Sequence, residues 1–460
     1  MTLENHADFI VFGAGPGGYA AAFRAADLGR DVVLVDPRAT LGGVCLNEGC
    51  IPSKALLHAA EVIREAREMS DWGIKFAKPK VNLDALQAKK ERIVGTLTGG
   101  LVQLAKKRKV TVVKGTATFN GPDILKIDGE DWSFKDAVIA VGSSSIKLPG
   151  WPEDDRIWDS TAALELREIP KNLAIVGGGI IGLEMATVYS ALGSEVTIIE
   201  LGDQIAPGAE TDAVRILANA LKSQGCKILT DTRVETIKAT KASLTLTCTG
   251  AFAGKFTADV VIQSVGRSAN GNLVGADAAG ITVQKNGTID VDNCCATSQP
   301  NIYAVGDVTG GPMLAHRATH QGKVAAEVAC GHSAAMDTDL IPSVCYTNPE
   351  MAWAGLTTGR AKADGISHKS TAFPWAASGR NLASGGGDGL TKIVYCPETE
   401  RILGATLIGA NAGELLAEMV LAMEMGATLT DIALTVHAHP TLSETTAFAA
   451  ERALGTLTDM

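Results

Sequence analysis

The sequence predicts an α/β protein with two Rossmann-like dinucleotide-binding domains and a C-terminal α+β domain. The chain has 460 residues, which is longer than a single hydrophobic core usually supports. A strand, glycine turn, helix and strand pattern occurs twice, and the character of the sequence changes from about Ile341. We therefore predict domains at residues 1–150, 151–270, 271–342 and 343–460.

Composition and charge exclude several functions. The hydrophobic fraction of 46% and charged fraction of 20% are typical of a globular protein. A net charge of −10 argues against nucleic acid, and the basic run at 106–109 is explained by a solvated helix end. We find no targeting signal and no apolar window that favours a membrane span, so we expect a cytoplasmic protein without a membrane partner.

The duplicated pattern covers residues 8–36 and 172–200. In each copy an apolar run ends in a glycine turn, a helical stretch follows, and a second apolar run ends in an acid. The corresponding residues are Gly13, Gly15, Gly18 and Asp36 in the first copy and Gly177, Gly179, Gly182 and Glu200 in the second.

This arrangement indicates that each copy binds a dinucleotide. The first glycine permits a tight turn, the second lets the backbone approach a pyrophosphate, and the third lets the helix pack against the sheet. The helix N-terminus attracts phosphate, and the acid accepts hydrogen bonds from ribose hydroxyls. No Lys or Arg occurs from Val196 to Val214, and Glu200 would repel a 2′-phosphate, so the second copy favours NAD over NADP.

Helical patterns follow the first copy at about 51–69 and 84–108, and strand-like runs follow at 110–118 and 124–128. Further strand-like runs lead from the second copy to the segments "ADVVIQSVGRSANGN" and "NIYAVGDVTG". The last part of the chain contains the segment "HAHPTLSE".

Two cysteines in "GGVCLNEGCIPSKALL", residues 42–57, predict a redox switch. Residues i and i+5 of a regular helix have Cα atoms about 8–9 Å apart, beyond the roughly 7 Å that a disulfide spans. If Cys45 and Cys50 form a bridge, the backbone must depart from the helix, and Gly49 permits this. A thiolate near a helix start is favoured by the helix dipole. Two buried thiols or half of a zinc site are the alternatives, but no matching Cys or His spacing supports a metal.

The chain resembles the flavin-dependent disulfide oxidoreductases, in particular their dihydrolipoamide-oxidising members. This resemblance is carried by the cysteine segment together with "AHRATHQGKVAAEVACG", "FPWAASGR" and "HAHPTLSE", and it covers essentially the whole length. It implies FAD on the first Rossmann unit, NAD on the second, and a C-terminal dimerisation domain in an obligate homodimer. It also implies that dihydrolipoamide is oxidised to lipoamide, and that the lipoyl domains of a multienzyme complex are partners.

The resemblance implies roles for individual residues. Cys45 would exchange with the substrate dithiol, Cys50 would face the flavin, and His439, oriented by Glu444, would be the acid/base group, with His437 as the structural alternative. The implied FAD residues are Gly13, Gly15, Gly18, Asp36, Lys54, Gly142, Ser143, Asp307, Met313, Leu314, Ala315 and His316. The implied NAD residues are Gly177, Gly179, Gly182, Glu184, Glu200, Val234 and Gly266.

The sequence departs from the family pattern at two positions, and it leaves several alternative functions to be considered. Glu48 occupies a position that is apolar in many relatives, and it adds negative charge between the thiols; Val141 replaces a common threonine. The alternatives are a glutathione reductase, which the acid at Glu200 opposes, and a mercuric reductase, which would carry cysteines near its C-terminus, whereas the last one here is Cys396. A transhydrogenase would lack the thiol pair, and a structural subunit of a larger assembly would no longer use it.

Overall fold

The computed structural model describes residues 5–458. Its strands, in chain order, are β1 Asn5–Phe12, β2 Val32–Asp36, β3 Thr111–Lys114, β4 Ala117–Phe119, β5 Ile124–Ile127, β6 Glu130–Ile139, β7 Ser143–Ser145, β8 Ile157–Trp158, β9 Asn172–Val176, β10 Glu195–Ile199, β11 Lys227–Leu229, β12 Thr232–Ala239, β13 Leu244–Gly250, β14 Gly254–Ala258, β15 Val260–Gln263, β16 Arg267–Ala269, β17 Ile302–Ala304, β18 Ser343–Cys345, β19 Glu350–Gly355, β20 Lys369–Pro374, β21 Leu390–Tyr395 and β22 Ile402–Gly409. Its α-helices are α1 Pro16–Asp27, α2 Gly43–Glu48, α3 Cys50–Glu68, α4 Leu83–Lys107, α5 Ser160–Glu165, α6 Ile180–Leu192, α7 Thr211–Ser223, α8 Ala315–Ala329, α9 Thr358–Ala363, α10 Gly379–Ala383, α11 Ala412–Glu424, α12 Leu429–Leu434 and α13 Glu444–Leu454.

Two compact units, each built from separate segments, divide the chain. The first comprises the described residues up to Ala55 together with Asn82–Ile146 and Gly266–Asp339. The second comprises Leu56–Val81, Lys147–Val265 and the described residues from Leu340 onward. The four domains predicted from the sequence do not subdivide these two units, because the predicted domain 1–150 includes Leu56–Val81 of the second unit, and they stay a prediction.

The first unit is built on a sheet with strand order β3-β2-β1-β6-β5-β4, and β17 also pairs with β6. Strands β1, β2, β3, β6 and β17 are parallel, and β2 is buried along its whole length. Helices α1 and α8 pack so closely that a Cβ atom on Gly322 would lie only 2.3 Å from the carbonyl oxygen of Gly17. This packing fixes α1, and with it the glycine turn that precedes α1.

Most of the predicted elements after the first turn are confirmed. The helical patterns at 51–69 and 84–108 correspond to α3 and α4, each shifted by one residue. The strand-like run at 110–118 is wrong as a single stretch, since β3 and β4 lie at opposite edges of the sheet. The backbone N–H of Gly115, between these strands, donates a hydrogen bond to the carbonyl oxygen of Asp36.

The second unit contains a parallel sheet with strand order β11-β10-β9-β15-β8. A three-stranded antiparallel sheet, β12-β13-β14, packs against it through an apolar cluster that includes Leu246, Cys248 and Val261. This parallel sheet presents the second glycine turn between β9 and α6.

The C-terminal part of the second unit is an antiparallel sheet with order β18-β19-β22-β21-β20. Its core joins Phe373, Trp375 and Leu407 of the sheet region to Met419 of α11 and Ala449 of α13. Helices packed on an antiparallel sheet define an α+β arrangement, so the predicted fold class is confirmed.

A buried ion network joins the start of α7 to β21. The Lys392 ammonium lies 2.9 Å from carboxylate oxygens of both Glu210 and Asp212. Glu210, which is 3% exposed, also accepts hydrogen bonds from the backbone N–H and the hydroxyl of Thr358. Burial alone would lower the pKa of Lys392, but the hydrogen bonds from Lys392 to Asp212 and Glu210 raise it.

Candidate active site

The first glycine turn has the backbone geometry that a pyrophosphate cradle requires. Gly13 directly follows β1 with φ +103°, and a Cβ atom there would lie 2.2 Å from the carbonyl oxygen of Ala140. A Cβ atom on Gly18 would lie 1.7 Å from the Gly13 carbonyl oxygen. The buried Asp36 accepts a 2.6 Å hydrogen bond from the backbone N–H of Ala14. The predicted glycines and acid therefore form one compact turn.

The helix that carries the first cysteine lies directly against this turn. Gly43, the first residue of α2, has φ +58°, and a Cβ atom there would lie 2.5 Å from Cα of Gly15. The backbone N–H of Gly42 donates a 2.8 Å hydrogen bond to the carbonyl oxygen of Ala14. Only glycine permits both the backbone conformation and this approach at Gly43. The start of the thiol-carrying helix α2 is thus packed directly against the first glycine turn.

The two thiols are in direct contact across a break between helices. Helix α2 ends at Glu48, Gly49 has φ −143° and ψ −110°, and α3 begins at Cys50. The predicted departure from regular helix at Gly49 is therefore confirmed. The side chains of Cys45 and Cys50 share a hydrogen bond.

Opposing effects act on the pKa of Cys45. The hydrogen bond with Cys50, and then burial, hold the pKa of Cys45 above its ordinary value, while the positive charge of Lys54 lowers it. Cys45 is the third residue of α2, and the expectation that a helix start favours a thiolate of the pair stays a prediction. Cys50 is the residue at the start of α3, where the dipole argument applies.

Tyr19 is a neighbour of the thiols that the sequence analysis missed. Burial raises the pKa of the Tyr19 hydroxyl, and the nearby Cys45 and Cys50 raise it further. Tyr19 lies in the first turn of α1, one residue after Gly18. Its position directly after the glycine turn could have indicated that it lies near the thiols. A tyrosine in a Rossmann helix has no distinctive spacing, however, so the sequence pattern does not single it out.

A second polar cluster joins three segments of the first unit. The Ser143 hydroxyl donates a 2.5 Å hydrogen bond to a carboxylate oxygen of Asp307. Arg267 donates to both the hydroxyl and the carbonyl oxygen of Ser143, at 2.6 and 2.7 Å. The structure thus brings two predicted FAD residues together and adds Arg267, which the sequence analysis missed. Gly142 precedes Ser143 with φ +66°.

The remaining predicted FAD residues lie at the start of α8. Leu314 is its N-cap, Ala315 and His316 are its first two residues, and Met313 precedes them. Because α8 packs against α1, these residues belong to the same layer of the first unit as the glycine turn.

The second glycine turn repeats the geometry of the first. Gly177 has φ +107°, and a Cβ atom on Gly182 would lie 2.2 Å from its carbonyl oxygen. Glu200 accepts hydrogen bonds from the backbone N–H groups of Gly178 and Gly202, at 2.6 and 2.7 Å. These residues form a second dinucleotide cradle.

The other predicted NAD residues are distributed around the chain. Gly179 is the N-cap of α6 and has open space around it, and the buried Glu184 accepts a hydrogen bond from the backbone N–H of Tyr346. Val234 is a partly buried residue of β12. Gly266 belongs to the first unit and has φ +124°.

Two neighbouring histidines of the second unit have opposite surroundings. His439 is 80% exposed, and its Nδ1 lies 2.8 Å from a carboxylate oxygen of Glu444. His437 is 8% exposed, and its ring nitrogens bond the carbonyl oxygen of Thr435 and the carboxylate of Glu418. The first arrangement leaves a ring edge open to solvent, and the second holds both nitrogens.

Burial opposes ionisation of Glu444, but hydrogen bonds from the Thr441 N–H and from His439 outweigh burial and hold its pKa below the ordinary value. A lowered folded pKa means that the ionised carboxylate stabilises the structure above the ordinary carboxylate range. This contribution is lost as the pH falls through the folded pKa.

The chain matches two family descriptions. Residues 7–322 match "Pyridine nucleotide-disulphide oxidoreductase", and residues 341–450 match its dimerisation domain. Together with two glycine turns and a contacting thiol pair, these matches define the class. The chain belongs to the pyridine nucleotide-disulphide oxidoreductase family, and the family resemblance inferred from the sequence is confirmed.

Individual relatives show which members of this family the chain is similar to. The chain is 49% identical to a dihydrolipoyl dehydrogenase of Vibrio cholerae, covering 100% of this chain and 98% of the relative. It is 43% identical to a dihydrolipoyl dehydrogenase of Geobacillus stearothermophilus, covering 97% and 96%. Among solved structures, it resembles the HOCl-induced flavoprotein disulfide reductase RclA from Escherichia coli with a TM-score of 0.87 and 25% identity, covering 96% and 99%.

Two negative findings concern residues 5–458. In this part of the chain no helix combines the length and apolar character needed to cross a membrane. The same residues contain no cluster of three or more His, Cys, Asp or Glu side chains placed to hold a metal ion.

Proposed function

We propose that this protein is a dihydrolipoamide dehydrogenase, which oxidises dihydrolipoyl groups to lipoyl groups and reduces NAD+. The observation that carries the proposal is the contact between Cys45 and Cys50, next to the first of two dinucleotide cradles. The curated relatives share this activity in their names, which favours it over glutathione or mercuric reductase activity.

The first cradle fits FAD. At Gly15, the second glycine of the turn, a Cβ atom would meet nothing closer than Cα of Gly43 at 4.0 Å, so the backbone is open to a pyrophosphate, and Asp36 would accept hydrogen bonds from a ribose. Ser143, Asp307 and the start of α8 would hold the rest of the group, with Lys54 near the thiols. The second cradle fits NAD, since Glu200 favours a ribose with free hydroxyls. When bound, FAD would accept the electrons of the reduced thiol pair and NAD+ would accept them as a hydride.

The thiol pair performs the substrate step by exchange. When the cysteine pair is oxidised to a disulfide, a dihydrolipoyl thiolate attacks Sγ of Cys45. The bond between Cys45 and Cys50 then breaks, and Cys50 leaves as a thiolate. The second dihydrolipoyl thiol then displaces Cys45 and closes the lipoyl disulfide. The substrate loses two electrons and two protons; the cysteine pair gains the two electrons, Cys45 leaves as a thiol with one proton, and the acid/base group takes the other.

We infer that His439 takes up one of these protons. Glu444 bonds Nδ1 and so fixes the tautomer and the ring orientation, which leaves Nε2 to act on a thiol. His437 cannot act in this way without breaking its bonds to Thr435 and Glu418. We therefore assign acid/base catalysis to His439 and a structural role to His437.

The assembly follows from the same family. The match to a dimerisation domain supports a homodimer, in which His439 of one subunit would serve the thiol pair of the other. The partners in this proposal are the lipoyl domains of a 2-oxoacid dehydrogenase or glycine cleavage complex. The proposed location is the cytoplasm, where such thiols are kept exchangeable.

The test compares two assays on the purified flavoprotein: NAD+ reduction with dihydrolipoamide, and NADPH oxidation with oxidised glutathione. We expect only the first, and the reverse result would contradict the proposal. Cys45→Ser should abolish the first activity while flavin absorbance is retained.

The histidines provide a matched pair for the same assay. His439→Gln should lower kcat by roughly two to four orders of magnitude, the usual contribution of general acid–base catalysis. His437→Gln should retain most of the activity and show a lower melting temperature, because it breaks two hydrogen bonds of a nearly buried ring. A large kcat loss in His437→Gln with a mild effect in His439→Gln would reverse the assignment.

A further inference from the structure

Glu48 carries a carboxylate on the same short helix as Cys45. It is the last residue of α2, three residues after Cys45 and two before Cys50. Residues three apart on a helix lie on one face, with Cβ atoms about 5–6 Å apart. A negative charge on this face of the helix disfavours a thiolate on Cys45 and opposes Lys54, whose positive charge lowers the Cys45 pKa. Exchange with a dithiol requires thiolates.

Arg38 compensates this charge from the loop that follows β2. Its guanidinium lies 3.2 Å from the Glu48 carboxylate, and the two side chains are 37% and 36% exposed. Its backbone N–H donates a 2.8 Å hydrogen bond to Asp36, the acid of the first cradle. Arg38 is thereby fixed at the cradle while its charge lies at the thiol helix.

A second link holds the same loop to α2. The Thr40 hydroxyl donates a 2.8 Å hydrogen bond to the side-chain oxygen of Asn47, and the Asn47 amide donates to the carbonyl oxygens of Leu41 and Gly43. The Arg38–Glu48 pair is therefore held in place by a connection that does not depend on its own charge. Removing the charges one at a time changes the electrostatics and leaves this connection intact.

We propose that Arg38 is a positioning residue for thiol exchange, which neutralises Glu48 and so keeps the Cys45–Cys50 pair reactive. The proposal rests on the proposed function, because it concerns the same dithiol exchange. In the oxidised pair, Arg38 favours attack by the substrate thiolate on Cys45 and departure of Cys50 as a thiolate. In the reduced pair, it favours loss of a thiol proton. No electrons or atoms pass through Arg38.

The test measures the reactivity of the reduced pair with iodoacetamide as a function of pH, on the holoenzyme. This reagent is uncharged, so its rate reports the thiolate fraction and not attraction to the site. Arg38→Gln should slow alkylation at neutral pH by about threefold to tenfold, the size expected for one unit charge acting through partly solvated surroundings. The effect should shrink in about 1 M salt, where the Debye length is roughly 3 Å.

Three further variants make the result decisive. Glu48→Gln should speed alkylation, and the Arg38→Gln/Glu48→Gln double variant should return it to the wild-type rate. Arg108→Gln is the matched control, because it also removes one positive charge of an ion pair in the first unit, with Asp27 at 2.9 Å. Asp27 ends α1, which begins at the cradle with Pro16, so this pair lies roughly 16 Å along the helix from the cradle.

The proposal is overturned if Arg38→Gln and the wild type have the same pH profile, or if the double variant is as slow as Arg38→Gln. Equal slowing in Arg108→Gln would also overturn it, since the effect would then be one of net charge. If Arg38→Gln loses its flavin, Glu48→Gln still tests the sign. Failure of the proposed function gives a different result, a wild-type pair that is inert to dihydrolipoamide.

Discussion

The two glycine turns have nearly the same backbone geometry in two parts of the molecule. Gly13 and Gly177 have φ values of +103° and +107°. In both turns the terminal acid accepts a 2.6 Å hydrogen bond from the backbone N–H directly after the first glycine, of Ala14 and of Gly178. The match follows from backbone sterics, because a strand can pass this tightly into a helix only with glycine at these positions.

The segments that follow the turns differ. After the first turn, α2 lies against the glycines and carries a thiol. After the second, the chain leads to α7, whose first turn is held by the buried Lys392 network. The comparison teaches that the glycine turn is a general nucleotide cradle, and that the neighbouring segment decides whether the cradle also carries chemistry.

The largest expected effect comes from adding one methyl group to either turn. Gly18→Ala would place Cβ 1.7 Å from the Gly13 carbonyl oxygen, so we expect loss of flavin binding and of all flavin-dependent activity. Gly182→Ala places Cβ 2.2 Å from the Gly177 carbonyl oxygen, and we expect loss of NADH binding with flavin retained. Flavin absorbance and NADH titration separate the two results. If Gly18→Ala retains full flavin content, the cradle assignment is wrong.

An intermediate effect is expected at the buried ion network that joins the start of α7 to β21. Lys392→Met leaves the buried Glu210 carboxylate without its cation, and breaking a buried pair in this way costs about 3–5 kcal/mol. We expect a lower urea midpoint in denaturation followed by fluorescence. The control is Arg360→Gln, which breaks an exposed ion pair with Asp364 and should change stability by less than about 1 kcal/mol. Equal effects in both variants would show that the network contributes little.

The smallest effect concerns cofactor choice at the second acid. Glu200→Ala combined with Leu201→Arg removes the carboxylate that would repel a 2′-phosphate and adds a cation at a residue that is 59% exposed. The affinity ratio of NADH to NADPH should fall about tenfold or more, which is roughly 1.4 kcal/mol. Dissociation constants of both nucleotides measure this change, with Leu201→Arg alone as control. An unchanged ratio would contradict the ribose role of Glu200.

Local patterns allowed much of the site to be predicted. The glycine spacing requires particular backbone conformations, so both turns and both acids were predictable from the residues alone. The break at Gly49 was predictable because five residues of regular helix separate two cysteines too widely for a bridge. The assignment of His439 rather than His437 came from family resemblance, and the exposure of the two rings now gives it a physical reason.

The sequence by itself determined the local geometry, because glycine sterics, strand and helix periodicity and the spacing of the thiols act over a few residues. Only the tertiary structure decided which remote side chains meet. Arg267 joins Ser143, Tyr19 approaches the thiols, and Arg38 meets Glu48. The strands β3 and β4, which are adjacent in sequence, lie at opposite edges of one sheet. Such contacts depend on how whole strands and helices pack, and no short stretch of residues contains that information.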